Sequence, residues 1–498
     1  MISLRVSMST LPANTPILVC FASLQQKTTD LSQSDEATTL MSNASINAAN
    51  SVNCPELLKQ CERIYVPEGM WAYKDPARIV AENIQAANAT SVFAKIGITQ
   101  QTLMGEACQR IKDGKESIIL VSGGEAKFRQ LQATIQNVDI SDTTQTDDVE
   151  ADVVMQPSAE LWLLEETTAG LGMPVSYYSV MESAYRCAKG QSIDDNRDKL
   201  AEIYHHFSKA AAVNSHAWKQ EEISAEYIRN ASEKNPMLSF PYTKLHNTSW
   251  NVNQACAMFF TSVEKAQELG IDESHWIYPH VSSENNAMLA VAQRPDIHRS
   301  IGAEKSAQAA LAHTGLTAND INIVDLYSCF PVAVEMYADA FGLTDTSNFS
   351  CTGGMPFAGG PLNNYALQAA CRVFELLHED ENAIGLTSSV SGLITKQGFG
   401  LWSKKAPSQP FALIDVSDEV LAEEKPLDVI GTYHGEAVIT GYTITYHKGQ
   451  PQRAIAICDL PDGRRTVSHS DNPELMATIE ASEFVGKTVT INDRELIL

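Results

Sequence analysis

Short apolar runs alternate with helix-forming segments in two successive parts of this 498-residue chain. In the first part, strand candidates at Ile17–Ala22 and Ser117–Ser122 accompany predicted helices at Asp35–Ala49 and Leu103–Lys112. The second part predicts a helix at Gln254–Leu269, a strand at Trp276–Val281, a helix at Ala303–Thr314, a strand at Ile321–Leu326, helices at Val332–Phe341 and Tyr365–His378, and a strand at Ala383–Ser389. Apolar runs flanked by helices are typical of strands covered on both faces. The pattern predicts an α/β protein with two similar halves.

The sequence changes character after Trp402. Lys404–Pro410 has the composition of a linker. Short strand-like runs follow at Phe411–Val416, Leu427–Tyr433, Glu436–Tyr446, Arg453–Asp459, Arg465–His469 and Thr488–Asn492. Such spacing is typical of a small antiparallel barrel or sandwich, which could bind a ligand or serve as a packing or interaction module. We therefore expect a main domain at 1–403, a linker at 404–410 and a β-barrel domain at 411–498.

One long segment interrupts the alternation. Leu161–Ala231 is rich in helix formers, so a helical insertion is expected at about 155–250, where it could cover an active-site face. The acidic stretch at 137–152 is interpreted as a solvated loop.

Charge and cysteine usage exclude several classes of protein. With 36 Lys and Arg against 61 Asp and Glu, the net charge is −25, which disfavours nucleic-acid and anionic-membrane surfaces. Apolar runs such as Pro16–Phe21 are too short for a membrane span. Ten cysteines without a Cys-x-x-Cys pair indicate reduced thiols in a cytoplasmic protein, and no metal site is expected.

Three motifs occur in one order along the first 403 residues. Gly97–Glu125 combines a predicted helix with a strand that ends in Gly-Gly-Glu. Asp325–Phe330 follows a predicted strand, and Thr352–Asn364 is a glycine-rich loop that reads Thr-Gly-Gly-Met-Pro-Phe-Ala-Gly-Gly-Pro-Leu-Asn-Asn. Together they resemble the nucleophile helix, the Asn-Glu-Ala-Phe or His-Asp-Cys-Phe element and the Gly-Gly…Gly-His-Pro loop of the thiolase superfamily.

The resemblance extends to one group of that superfamily, the thiolase-like proteins type 1, which are allied to sterol-carrier-protein thiolases. The matching segments are Gly69–Pro76, Asp325–Pro331, Gly359–Tyr365 and Leu393–Lys396. Members carry an additional C-terminal β-barrel and are often labelled acetyl-CoA acetyltransferases. The resemblance implies a duplicated five-layer αβαβα fold followed by a barrel, with acyltransferase chemistry of the acetyl-CoA C-acyltransferase type as the starting hypothesis.

The same resemblance places the catalytic positions of a thiolase on residues that cannot do thiolase chemistry. The nucleophilic cysteine matches Gly97, the catalytic histidine Gly360, the oxyanion-hole residue Tyr327 and the second cysteine Ser391. Only Tyr327 and Ser391 carry a reactive group. Because these groups act as a unit, thiolase turnover is not expected.

Other cysteines are poor substitutes for the missing nucleophile. Cys108 lies about three turns further along the predicted helix, and a buried core position is expected for it. Cys329 and Cys351 lie within or beside the motifs, and neither is expected to be a nucleophile. The loop instead supplies candidate ligand-binding residues, namely Gly353, Gly354, Gly359, Pro361 and Asn363.

Three functions remain open at this point. The first is an acyl-CoA-binding protein that has lost thiolase chemistry, with coenzyme A or acyl-CoA as ligand and no other cofactor. The second is an enzyme of acyl-CoA or lipid metabolism with different chemistry, such as retro-aldol cleavage with Tyr327 as hydrogen-bond donor and a partner protein. The third is a scaffold that recruits a protein through its C-terminal domain. The resemblance is compatible with a dimer or a monomer.

Overall fold

The structure is a computed structural model that describes residues 11–157 and 161–497. Residues 1–10 of the predicted main domain therefore lie outside the described residues. The strands are β1 (Pro16–Gln25), β2 (Arg63–Pro67), β3 (Thr90–Ala94), β4 (Ile118–Ala126), β5 (Val153–Met155), β6 (Met237–Ser239), β7 (Tyr242–Thr243), β8 (Asn253–Ser262), β9 (Tyr278–Asn285), β10 (Ile323–Asp325), β11 (Ile384–Ser391), β12 (Lys396–Ser403), β13 (Ala412–Asp415), β14 (Val429–Ile430), β15 (Tyr433–His447), β16 (Gln450–Asp459), β17 (Arg465–Ser470), β18 (Thr488–Asp493) and β19 (Glu495–Ile497). The α-helices are α1 (Ala37–Ser51), α2 (Glu56–Lys59), α3 (Pro76–Asn83), α4 (Gln100–Lys112), α5 (Lys127–Gln136), α6 (Leu164–Ala169), α7 (Pro174–Ala188), α8 (Ile193–Val213), α9 (Ala225–Arg229), α10 (Val263–Glu268), α11 (Ile301–Thr314), α12 (Pro331–Phe341), α13 (Gly354–Phe357), α14 (Tyr365–Glu379), α15 (Ser417–Glu423) and α16 (Pro473–Ala481).

The first sheet has six strands in the order β1-β8-β4-β2-β3-β5. β1, β8 and β4 pair antiparallel, and β4, β2, β3 and β5 pair parallel. All residues of β4 are buried, as predicted for a strand covered on both faces. Helices α1 and α3 cover the outer face of this sheet.

The prediction of a helix at Gln254–Leu269 is wrong. This segment forms the central strand β8, followed by the short helix α10. Every residue of β8 is buried between its neighbours β1 and β4. A strand that is buried on both faces lacks the alternation of polar and apolar residues, so its sequence cannot be told from that of a buried helix.

The second sheet has the order β10-β11-β12-β9-β13, with α11 and α12 on its outer side. Helices α4 and α14 lie between the two sheets and contact strands of both. The layers therefore follow the order αβαβα, which confirms the predicted duplicated α/β architecture.

The C-terminal part forms a closed barrel of five strands. Strand β15 pairs with β16, β16 with β17, β17 with β19, β19 with β18, and β18 with β15 again. The pairing is antiparallel except between β17 and β19. The predicted barrel is confirmed, with a parallel pair that the sequence pattern did not indicate.

The first predicted barrel strand lies elsewhere. Phe411–Val416 contains β13, which pairs in parallel with β9 at the edge of the second sheet. Conversely, β6 from the helical insertion pairs with β15 of the barrel. The sequence of such a short strand does not determine which sheet it pairs with. The domain boundaries at 403 and 411 stay a prediction.

The predicted helical insertion contains α6, α7, α8 and α9. Helix α7 packs between β15 and α12, and α8 packs on α13 within the glycine-rich loop. Among the described residues, no helix is long and apolar enough to cross a membrane.

Candidate functional site

The four positions matched to thiolase catalytic residues lie at the ends of secondary-structure elements. Gly97 precedes α4, Tyr327 follows β10, Gly360 lies in the glycine loop, and Ser391 ends β11. Within residues 11–157 and 161–497, no hydrogen bond joins any two of these four positions. Their correspondence to catalytic residues stays a prediction.

Asp325 fixes the shape of the glycine loop from the end of β10. Its Oδ2 accepts hydrogen bonds from Ser350 Oγ at 2.8 Å and from Thr352 N and Oγ1 at 3.0 and 2.7 Å. Its Oδ1 accepts from the Tyr365 hydroxyl at 3.1 Å. Burial raises the pKa of Asp325, while these donors favour the charged form. The second and third motifs are thus joined by one buried carboxyl group.

Helix α8 lies directly on the glycine loop. Gly353 has φ +104°, and a Cβ built on it would lie 2.5 Å from the backbone nitrogen of Ala211. Gly354 has φ +70°, and its Cβ would lie 2.6 Å from Phe207 Cδ2. Both glycines are required by positive φ and by the closeness of α8. The predicted ligand-binding residues Gly353 and Gly354 therefore touch the insertion.

The two glycines matched to the nucleophile and the base have no room for a side chain. Gly97 has φ +109°, and its Cβ would lie 2.8 Å from Pro157 Cβ. A Cβ on Gly360 would overlap Thr248 Cγ2 and lie 3.1 Å from Met355 Cε. Neither a cysteine at 97 nor a histidine at 360 fits without movement of its neighbours.

The two remaining positions differ in burial. Tyr327 is 7% exposed, and its backbone N–H donates to Ser388 Oγ at 2.7 Å. Its hydroxyl has no hydrogen-bond partner among the described residues, and burial raises its pKa, so the hydroxyl remains a proton donor at neutral pH. Ser391 is partly buried and pairs with Lys396 across the β11–β12 hairpin.

The cysteines near the motifs are unsuited to nucleophilic attack. Cys108 is fully buried between the two sheets. Burial raises the pKa of Cys329 to about 12. Burial, and then the charge of Asp325, raise the pKa of Cys351. Because the thiolate is the reactive form, burial disfavours all three thiols as nucleophiles.

Side-chain amides line the second half of the glycine loop. Gln254 and Gln368 both donate to the Ala358 carbonyl, at 2.9 and 3.1 Å. Gln100 Nε2 donates to Asn363 Oδ1, which places this predicted ligand-binding residue beside the start of α4. The three glutamines come from β8, α14 and α4 and share no local motif, so the sequence did not indicate them.

Of the other predicted ligand-binding residues, Gly359 has φ +96° and lies against Gln254, whose Cδ would be 3.0 Å from an added Cβ. Pro361 is buried, and its carbonyl accepts a hydrogen bond from the backbone N–H of Asn364 at 2.8 Å. Both residues shape the loop around these amides.

A group of lysines and tryptophans lies outside the loop. The lysine–tryptophan surface consists of Lys27, Trp218, Lys219, Lys244 and Trp250. The backbone of Trp218 and Lys219 donates to the Ala358 and Phe357 carbonyls at 3.0 and 2.8 Å, so the surface lies against the loop. The Lys27 ammonium lies 5.4 Å from the centre of the Trp218 ring, and Trp250 is 47% exposed.

The positive charge of this surface is offset only in part, by Glu221 near Lys219. None of its three ammonium groups forms a salt bridge with a carboxylate of the described chain. Burial, and then the charge of Lys244, lower the pKa of Lys219. Unpaired cations at this place in a chain of net charge −25 are suited to an anionic ligand. The lysine–tryptophan surface has no local sequence motif, because its members come from three separated segments.

The αβαβα layers are those of the thiolase fold, here extended by a closed barrel. A solved structure of a monomeric SCP2-thiolase like protein type 1 from Mycobacterium smegmatis superposes with a TM-score of 0.81 at 23% identity, covering 98% of this chain and 99% of that one. The fold and the added barrel implied by the resemblance are thereby confirmed.

Other thiolase-fold structures align with a smaller share of the chain. The Ltp2-ChsH2(DUF35) aldolase gives a TM-score of 0.58 at 14% identity, covering 79% of this chain and 98% of that one. Human mitochondrial 3-ketoacyl-CoA thiolase in complex with CoA gives 0.56 at 14% identity, covering 78% and 98%. No protein-family profile and no curated protein matches this chain.

Proposed function

We propose that this protein binds coenzyme A or an acyl-CoA and does not catalyse the thiolase reaction. The absence of the thiolase reaction is supported by the lack of space at Gly97 and Gly360. Pro157 fills the space beside Gly97, and Thr248 and Met355 fill the space beside Gly360. The nucleophilic cysteine and the catalytic histidine of a thiolase would therefore not fit at these two positions. Burial raises the pKa of the Cys329 and Cys351 thiols, which disfavours either of them as a substitute nucleophile.

Ligand binding is supported by the lysine–tryptophan surface. Coenzyme A carries phosphates and an adenine ring, which suit unpaired ammonium groups and an exposed indole. A thiolase of the same fold is known in complex with CoA. Lys219 and Trp218 bind the backbone of Phe357 and Ala358, which is where an acyl chain entering from this surface would meet the amide-lined loop.

The binding test is a calorimetric titration of the full-length protein with CoA and acetyl-CoA. Saturable binding is expected, and Lys219→Glu should weaken it at least tenfold because it reverses a charge next to the loop. Lys59→Glu is the matched control, since Lys59 is exposed on α2 and makes the same change in net charge far from the loop. Equal affinities for the two variants, or no binding by the unmodified protein, would exclude the proposed ligand site.

A second candidate function is carbon–carbon bond cleavage of the retro-aldol type, assisted by a partner protein. The free hydroxyl of buried Tyr327 favours it, since a protonated phenol can polarise a carbonyl group. A solved structure of the same fold is an aldolase that contains ChsH2(DUF35). Cleavage of a β-hydroxyacyl-CoA that is abolished by Tyr327→Phe would support this function, and unchanged cleavage by the variant would exclude Tyr327 as the donor.

The location and assembly of the protein follow as further proposals. We place it in the cytoplasm, in keeping with ten cysteines that are all free thiols. The barrel is the proposed surface for a protein partner, which is also the basis of the scaffold alternative. Size-exclusion chromatography with light scattering would decide between the monomer and the dimer.

A further inference from the structure

The side-chain amides around the second half of the glycine loop carry buried polar atoms that have no partner within the described part of the chain. Four of these atoms are amide oxygens, of Gln100, Gln254, Asn364 and Gln368, residues that are 1%, 2%, 1% and 3% exposed. The fifth is the amide nitrogen Nδ2 of Asn363. Because buried polar atoms are nearly always hydrogen-bonded, this concentration of unpartnered amide atoms indicates a bound polar group.

Main-chain carbonyls fix the orientation of two of these amides. Gln254 Nε2 donates to the carbonyls of His216 and Ala358 at 3.3 and 2.9 Å, and Gln368 Nε2 donates to the Ala358 carbonyl at 3.1 Å. A carbonyl oxygen accepts only from the nitrogen end of an amide, so the Oε1 atoms of both glutamines are the ends left without a partner. Both positions therefore offer acceptors.

The amides lie together along the loop. Gln254 and Gln368 meet at the Ala358 carbonyl, and Gln100 Nε2 donates to Asn363 Oδ1 further along the same loop. The bond between Gln100 and Asn363 leaves one acceptor and one donor unpartnered, whichever of the two amides supplies the nitrogen. The set as a whole therefore offers several acceptors and one donor.

Two glycines keep two of the oxygens in place. A Cβ on Gly359 would overlap Gln254 Oε1, and a Cβ on Gly123 would overlap Asn364 Oδ1. Asn364 immediately precedes α14 and lies one turn before Gln368, so both amides lie on the same side of that helix. A side chain at either glycine position would displace an acceptor from the loop.

The amides are next to the lysine–tryptophan surface. The Ala358 carbonyl, which accepts from Gln254 and Gln368, also accepts from the backbone N–H of Trp218 at 3.0 Å. The amide-lined part of the loop therefore adjoins the surface at which coenzyme A is proposed to bind, and an acyl group attached to that ligand could reach the unpartnered atoms.

We propose that these amides bind a hydroxyl group on the acyl chain, so that the protein selects hydroxyacyl-CoA over the unsubstituted acyl-CoA. The selection rests on the proposed function, acyl-CoA binding, and does not require cleavage of the acyl group. A hydroxyl group donates to one acceptor and can accept from Asn363 Nδ2. An ammonium group has no acceptor for that nitrogen, and a hydrocarbon chain leaves all the amides unpaired.

The test is a calorimetric titration of the full-length protein with CoA, butyryl-CoA and the 2-, 3- and 4-hydroxybutyryl-CoA isomers. At least one hydroxy isomer should bind at least about tenfold more tightly than butyryl-CoA, because a site built to hydrogen-bond a hydroxyl group discriminates against the analogue that lacks it. Gln368→Leu removes one acceptor and should remove most of this preference while butyryl-CoA still binds. Gln452→Leu, the same change at an exposed position on β16, is the matched control and should retain the preference.

The outcomes separate this proposal from the proposed function. Equal affinities for butyryl-CoA and all three hydroxy isomers would overturn the hydroxyl site and leave acyl-CoA binding in place. No binding of any CoA compound would overturn both. If Gln368→Leu does not fold, Gln100→Leu tests another acceptor in the same way, and a preference that survives in the folded variant would overturn the assignment to these amides.

Discussion

Replacement of Gly353 by alanine tests the close approach of α8 to the glycine loop. The new Cβ would lie 2.5 and 2.6 Å from the backbone nitrogen and Cα of Ala211, at a φ of +104°. Backbone atoms of a helix cannot rotate away, so the helix or the loop must shift. Positive φ in a residue with a Cβ costs about 1–2 kcal/mol, and overpacking adds about 1–3 kcal/mol. We expect Gly353→Ala to lower the free energy of unfolding by about 2–5 kcal/mol.

Gly315→Ala separates the two contributions. Gly315 also has a positive φ, +71°, and an added Cβ would meet no atom within 4 Å. This control should lose only the conformational part, about 1–2 kcal/mol. The assay is urea unfolding of both variants under identical conditions, compared by midpoint and slope. A loss of stability in Gly353→Ala no larger than in Gly315→Ala would refute the contact between α8 and the loop.

Three further predictions concern other buried groups. Burial raises the pKa of Glu125 to about 7, so its stabilising contribution is lost as pH rises from the ordinary glutamate range through 7. The free energy of unfolding in urea should therefore vary less with pH in Glu125→Gln than in the unmodified protein, by up to about 3 kcal/mol over this range, and an unchanged profile would contradict this. Burial raises the pKa of Cys329 to about 12, so this thiol should resist iodoacetamide at pH 8 in the folded protein and react after denaturation. Mass spectrometry follows the labelling, and rapid labelling of Cys329 in the folded protein would contradict the prediction. Arg465 on β17 is 1% exposed and binds Asp459 and the carbonyls of Ala292 and Pro295. Arg465→Ala should therefore lower the free energy of unfolding by about 3–5 kcal/mol and speed proteolysis of the barrel. Cleavage at the rate of the unmodified protein would contradict a role of Arg465 in holding the barrel on Ala292 and Pro295.

The fold could be predicted from the sequence because its signals are local. The helices predicted at Ala303–Thr314 and Val332–Phe341 end as expected, at Gly315 and Gly342, which have positive φ. β4 is the buried strand that its apolar run predicted. Prediction failed where the surroundings decide the structure. β8 was mistaken for a helix because it is buried on both faces, and β13 joined the second sheet because pairing partners are set by tertiary packing.

The candidate site was predictable only where a motif carried it. The glycine loop and Asp325 were found from consecutive residues, and the structure joins them by hydrogen bonds. The glutamines around Ala358 and the lysine–tryptophan surface were missed, because residues such as Gln254 and Gln368 meet only after the two halves pack together. The packing of α8 on the glycine loop is likewise a contact between residues that lie far apart in the sequence.

The proposed function is acyl-CoA binding by a protein of thiolase fold without thiolase turnover. Its most direct test is to incubate the full-length protein with acetoacetyl-CoA and CoA, at concentrations where calorimetry detects binding, and to measure acetyl-CoA formation. We expect bound ligand and no acetyl-CoA formation above the protein-free rate. Sustained formation of acetyl-CoA by the purified protein would contradict it.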